Sequence, residues 1–288
     1  MTVFQDNICV AVDIFDFLQN RHTGEVLLTT SKGVYLQFPT RILQITSDSF
    51  GVTPIGIGLE RYDDFLTDIS PKAGDTVSVT PGRIQFPTGT LLIQFGTIGH
   101  KSQVTSIHCQ TVLTWAAALQ RSCKVHSAAT LSAPLLLNQP QPLSLSPWCK
   151  QAQPLLVTLL NALKHCDYDS ICASVGNLLG LGIGLTPSLD DVLLGMLYGL
   201  LRLAPQWEST VHLCTAIQEM AEEKTNAISA AYLTAVAAGG PFSRLDTVLQ
   251  ELGCSALPCI APMMEIGSSS GSEMLFGLLL AAKLTTKG

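Results

Sequence analysis

Charge is scarce in this sequence: 13% of its 288 residues are Asp, Glu, Lys or Arg against 47% hydrophobic ones, which excludes a disordered chain and leaves few polar groups to cover a free surface. A permanent partner is therefore expected. Basic residues are the scarcer sign. Residues 1–150 hold 10 Lys and Arg against 10 Asp and Glu, whereas residues 151–288 hold 6 against 12, so the whole net charge of −6 falls in the second part. With no basic stripe and no zinc-finger spacing, nucleic acid is not an expected partner.

Met1–His22 carries Asp6, Asp13 and Asp16 and lacks the basic flank and clean apolar run of a secretory leader, so a cytoplasmic location is expected. The charge-free stretch Ile171–Leu189 is broken by four glycines, Asn177 and Pro187, and reads as a turn-rich core segment rather than a membrane span. Nine cysteines occur without C-x-x-C spacing, the closest pair being Cys254 and Cys259, and read as reduced thiols. His100, His108, His126, His165 and His212 have no mutual metal spacing, and neither a Ser-His-Asp order nor a nucleophile elbow is present.

What is present divides the chain. Short β-rich runs at 25–30, 33–38, 41–46, 76–80, 83–86 and 90–95 alternate with turns such as Ser31-Lys32-Gly33, Pro81-Gly82 and Pro87-Thr88-Gly89. They predict an antiparallel barrel or sandwich over residues 1–103. Residues 104–150 follow as a helix, Val104 to Leu119, and a connector, Ser132 to Pro147. The rest, 151–288, is expected to be all-helical, giving an α+β chain. Its helices are read as one opened by Pro154 and ending near His165, then 188–203, 209–238, 243–252 and 270–283, with glycines as stops.

One segment carries the chemistry: Gly180-Leu181-Gly182-Ile183-Gly184-Leu185-Thr186-Pro187-Ser188-Leu189-Asp190-Asp191, leading into a helix. Alternating glycines let backbone approach a ligand, and the N–H groups of a helix start favour an anion. A weaker copy lies 82 positions on, Ser270-Gly271-Ser272-Glu273, implying two similar helix entrances that would face one cavity if their helices pack side by side. The plainer reading is capping alone, since Ser188 with Asp191, Ser270 with Glu273, and Ser243 with Asp246 each place an acid three residues after a serine. Asp190 and Asp191 with Glu265 or Glu273 are candidates for a divalent cation such as Mg²⁺, although adjacent helical residues point about 100° apart. No cofactor is required. Lys224, Thr225 and Ser229 form a polar cluster that is either a set of anion donors or a solvated helix face.

The string Gly182-Ile183-Gly184-Leu185-Thr186-Pro187-Ser188-Leu189-Asp190-Asp191, with Leu194-Gly195 following, resembles the GxGLTPSGDDxLxG hallmark of the AllH-like family. Lys224-Thr225-Asn226-Ala227-Ile228-Ser229 and Gly267-Ser268-Ser269-Ser270-Gly271 are similar to later features of that family, while Leu189 stands where it usually has glycine. The resemblance implies a subunit of an oxamate carbamoyltransferase, which interconverts carbamoyl phosphate plus oxamate with oxalurate plus phosphate in allantoin and purine catabolism, together with other subunits in a hetero-oligomer. On that reading Gly182, Gly184, Thr186, Ser188, Lys224, Thr225, Ser269, Ser270 and Gly271 bind the small anionic substrate, and Asp190 and Asp191 are the catalytic carboxylates. Two alternatives stand beside it. One is a non-catalytic assembly subunit; the other is an anion- or acyl-phosphate-binding enzyme of different specificity.

Overall fold

A computed structural model describes residues 2–98, 107–140, 145–254 and 258–286. The chain forms two compact units, Met1–Lys101 with Gly240–Arg244, and Ser102–Gly239 with Leu245–Gly288. The architecture is α+β, as expected from the switch in periodicity.

The first unit is a closed barrel of eight strands: β1 (Thr2–Val10), β2 (His22–Thr29), β3 (Val34–Phe38), β4 (Arg41–Ser47), β5 (Gly56–Leu59), β6 (Thr76–Thr80), β7 (Arg83–Gln85) and β8 (Gly89–Ile98). Around the barrel they run β1-β5-β4-β3-β2-β6-β7-β8, and β8 closes on β1. Six pairings are antiparallel, and β1/β8 and β4/β5 are parallel. Helices α1 (Val12–Leu18) and α2 (Tyr62–Asp68) join strands. Phe4, Ile8, Leu36, Ile45, Ile57, Val77, Ile84 and Leu91 fill the core. The return segment 240–244 joins this unit, where Val52 and Ser243 exchange hydrogen bonds: the Val52 N–H donates to Ser243 Oγ at 3.0 Å and the Ser243 N–H to the Val52 carbonyl at 2.9 Å.

The second unit contains α3 (Cys109–Ser122), α4 (Ser132–Leu136), α5 (Pro147–His165), α6 (Tyr168–Leu178), α7 (Ser188–Leu203), α8 (Glu208–Lys224), α9 (Ala227–Ala237), α10 (Ser243–Gly253, entering from the barrel segment), α11 (Ala261–Met264) and α12 (Ser270–Thr285). Every residue from Ser188 to Leu200 and from Gly271 to Ala282 is buried, so α7 and α12 are its central helices. Among the described residues no helix is long and apolar enough to cross a membrane.

Several expected boundaries are corrected. The single helix expected over 209–238 is two, because Thr225 is extended and Asn226 caps α9, its side-chain oxygen accepting from the N–H groups of Ile228 at 3.1 Å and Ser229 at 3.0 Å. Pro154 does not open a helix but lies inside α5, which starts at Pro147, seven residues earlier in the chain. The segment read as turn-rich from Ile171 is helical through Leu178, launched by Asp167, whose carboxylate accepts from the Ser170 N–H at 3.2 Å. The connector holds α4, and the first part of the helix expected from Val104 lies outside the described residues, as do 141–144 of the connector and 255–257 between Cys254 and Cys259.

Candidate functional site

Glycine sets the spacing of the two central helices. A Cβ on Gly195 of α7 would overlap the carbonyl oxygen of Met274 in α12, and one on Gly277 would overlap the carbonyl oxygen of Val192 and stand 2.8 Å from the Met196 nitrogen. One turn on, a Cβ on Gly199 would stand 2.8 Å from that of Ala281. These contacts advance in the same direction along both helices, so α7 and α12 run parallel and start at the same end. Two positive helix termini therefore lie together.

The loop before α7 is shaped by Gly180 (φ +76°), Gly182 (φ +122°) and Gly184 (φ +114°). A Cβ at Gly182 would stand 2.6 Å from the Ser188 nitrogen, and one at Gly180 would stand 2.6 Å from the Lys224 carbonyl oxygen. Both positions thus exclude side chains by space as well as by backbone angle. Asn226 holds the loop from outside, its Nδ2 donating to the Leu185 carbonyl at 2.9 Å.

The capping-box reading of the two serine–acid pairs at this end is overturned. Pro187 precedes α7 and Ser269 precedes α12, and neither closes its helix by a side-chain cap. The acids reach other elements instead. Asp191 accepts from Thr186 Oγ1 at 2.9 Å, Asp190 from the Gly180 N–H at 2.8 Å and from the Thr225 hydroxyl, and Glu273 Oε1 from the Ala128 N–H at 3.1 Å. In the third pair, Ser243 binds Val52 and Asp246 meets Arg202 at 3.4 Å. The two entrances themselves touch: Thr186 Oγ1 and Ser270 Oγ are 3.2 Å apart.

Main-chain amides divide into two sets. Several within the first turns are taken by carbonyls: Leu189 donates to Leu181 at 3.0 Å, Asp190 and Asp191 to Pro187 at 3.0 and 3.3 Å, Gly271 to Ile266 at 3.1 Å and Glu273 to Ser269 at 3.1 Å. By contrast, the N–H groups of Gly182 through Thr186 and of Ser188 have no acceptor among the described residues. The open donors therefore run along the glycine loop to Ser188 at the start of α7, and among the described residues the N–H groups of Ser270 and Ser272 at the start of α12 have no acceptor either. Ile183 and Leu185, on that loop, are exposed.

Beneath the loop the carboxyls are enclosed. Asp190 and Asp191 are each 2% exposed and Glu273 1%. Burial raises all three above the ordinary carboxylate range, and for Asp191 the neighbouring Glu273 adds to it. Hydrogen bonds from Thr225 and Gly180 to Asp190, and the hydroxyls of Ser270 and Thr186 beside Asp191, act in the opposite direction. Since the two aspartates turn to different partners, they do not form one ligand pair. Among the described residues, no three His, Cys, Asp or Glu side chains gather as a metal-ligand set.

The structure thus brings together Gly182, Gly184, Thr186, Ser188, Asp190, Asp191, Thr225 and Ser270. The Lys224 side chain stands apart, exposed and 3.6 Å from Glu223, although its carbonyl oxygen packs against Gly180. Gly271 is a packing glycine, since a Cβ there would overlap the Met263 carbonyl oxygen, and the Ser269 carbonyl receives the Ser272 hydroxyl at 2.6 Å. Leu189 lies in the first turn of α7 with its side chain fully buried, so leucine there serves the core. Three further contributors had no role assigned from sequence. Asn226 tethers the loop, Ser127 Oγ lies 2.9 Å from Ser272 Oγ, and Lys124 Nζ donates to Ser268 Oγ at 3.1 Å. An Asn directly before Ala-Ile-Ser is a readable helix cap; Lys124 carries no comparable signal.

Residues 178–282, which contain both helix entrances and Asn226, match the family model described as oxamate carbamoyltransferase subunit AllH. The family resemblance drawn from the sequence is shown over that span. No solved structure matches the chain.

Proposed function

We propose, taking the AllH match of residues 178–282 as the premise, that this chain is a subunit of an oxamate carbamoyltransferase and that its glycine loop holds the anionic end of the substrate. The observation that carries this reading is the set of amides from Gly182 to Thr186 and at Ser188 that have no acceptor among the described residues, beside the paired hydroxyls of Thr186 and Ser270. Carbamoyl transfer forms a bond from the oxamate amide nitrogen to the carbamoyl carbon, breaks that carbon's bond to the phosphate oxygen, and releases a proton from nitrogen. Preorganised N–H donors lower the cost of the charge that collects on phosphate as it leaves and on the tetrahedral oxyanion. Asp190 and Asp191 act here as positioning residues, one tying Gly180 to Thr225 and the other fixing Thr186.

A second reading, a non-catalytic assembly subunit, draws on the same two aspartates, whose engagement inside the fold is what a purely structural pair would show. Phosphate release from carbamoyl phosphate and oxamate separates the two, measured with the chain alone and with its companion subunits. Activity that requires the companions and is lost in Gly184→Val, with the thermal melt retained, supports substrate binding here. Full activity of Gly184→Val in the assembled enzyme favours the assembly role.

A further inference from the structure

The start of α12 differs from that of α7 in two respects. It carries a cation, because the Lys124 ammonium stands 3.1 Å from Ser268 Oγ, just before the helix. Three other basic groups of this unit are engaged elsewhere: Lys224 with Glu223, Arg202 with Asp246, and Lys283 with the carbonyls of Leu135 and Leu136. It also carries an orphan acceptor. Glu273 Oε1 is satisfied by Ala128, but Oε2 of the same carboxyl, 1% exposed, has no hydrogen-bond partner among the described residues. The hydroxyls of Ser188 on α7, Ser269 before α12 and Ser127 surround this carboxyl and favour its charged form, none of them reaching Oε2 at full hydrogen-bond distance, which places it between the two helix starts.

We propose that this end of the helix pair recognises an acyl phosphate by both of its ends, Lys124 neutralising the phosphate and Glu273 Oε2 accepting from an amide N–H₂ at the other. The inference rests on the carbamoyltransferase reading and adds a direction to it. A phosphate dianion demands more positive charge than two helix termini, each worth about half an elementary charge, deliver above three buried carboxyls. Lys124 supplies a full charge on a long side chain whose present contact is one exposed serine hydroxyl. A buried acceptor without a donor loses the hydrogen bond it had in water, and a ligand N–H would restore it. Carbamoyl phosphate has that N–H₂; acetyl phosphate has a methyl group in its place and the same dianion.

The test is calorimetric titration of the full chain, alone and with its companion subunits, using these two compounds. Wild type is expected to bind carbamoyl phosphate at least fivefold more tightly than acetyl phosphate; equal affinity overturns the role of Glu273 without any substitution. Lys124→Ala, an exposed change that leaves the melt unaltered, is expected to weaken both compounds alike by about tenfold, with Lys124→Arg restoring most of the loss. Glu273→Gln is expected to narrow the preference while sparing acetyl phosphate. If Lys124→Ala binds both as wild type does while Gly184→Val binds neither, the loop site stands and Lys124 has no part in it. If wild type binds neither compound in any assembly, the site reading falls along with this inference.

Discussion

Gly277 of α12 lies so close against Val192 of α7 that a single methyl group on it would stand 2.0 Å from the Val192 carbonyl oxygen, far inside contact distance. The obstacle is backbone in a helix buried on all sides, so neither partner can yield by rotating a side chain. We expect Gly277→Ala to destabilise the helical unit by about 3 kcal/mol or more, at the upper end of overpacking costs, and Gly195→Ala to do the same. Chemical denaturation measures this. A change below about 0.5 kcal/mol would mean the helices separate freely and that the two entrances are not held in register.

Asn226 has two separable duties. Its oxygen caps α9, and its amide nitrogen donates to Leu185 in the loop. Asn226→Ala loses both and is expected to cost about 1–2 kcal/mol while weakening anion binding. Asn226→Asp keeps the acceptor but not the donor. Its melt is expected to stay close to wild type and its carbamoyl phosphate affinity to fall severalfold; unchanged affinity would remove Asn226 from the support of the loop.

The three enclosed carboxyls make stability depend on pH in a direction opposite to that of exposed, salt-bridged acids. Asp190, Asp191 and Glu273 all titrate higher in the folded chain than in the unfolded one. The folded state therefore retains protons that the unfolded state releases above about pH 4, and this contribution is fully present at or below the ordinary carboxylate range and is lost as pH rises through the raised values. Denaturation midpoints between pH 4.5 and 8 are expected to fall with rising pH, with a shallower slope in Asp191→Asn. A slope of the opposite sign attributable to these residues would show that their hydrogen bonds outweigh burial.

Leu189 tests how tightly the first turn of α7 is packed beneath the glycine loop. Its side chain is fully buried in the first turn of α7, with its N–H bonded to Leu181 at 3.0 Å. Glycine in its place removes a buried side chain and adds backbone freedom, so Leu189→Gly is expected to destabilise by about 3–5 kcal/mol. A melt close to wild type would show that the core closes over the vacated space.

The sequence made some elements legible because their signals were local. Thr76–Thr80 and Arg83–Gln85 are bounded by Pro81-Gly82, and α7 and α12 begin where serine follows a glycine-bearing turn. Other elements depend on partners remote in the chain. β1 contains the polar run Gln5-Asp6-Asn7 and becomes a strand through its register with β8, while β5 is only four residues long and pairs with β1 and β4. The α8–α9 break was masked by helix-favouring residues on either side of Asn226. At the site, the loop and its aspartates were visible as a motif. Lys124 was not, because it reaches Ser268 across 144 positions and nothing near it in the chain marks the encounter.

Closure of the barrel restricts how a second protein can meet this unit. Among the described residues each of the eight strands has a neighbour on both sides over at least part of its length, so the barrel has no edge strand left open along its whole length for an incoming strand to extend. A companion chain that seats here has to recognise side chains and connecting turns, and its selectivity then rests on shape and charge instead of generic β-ribbon pairing.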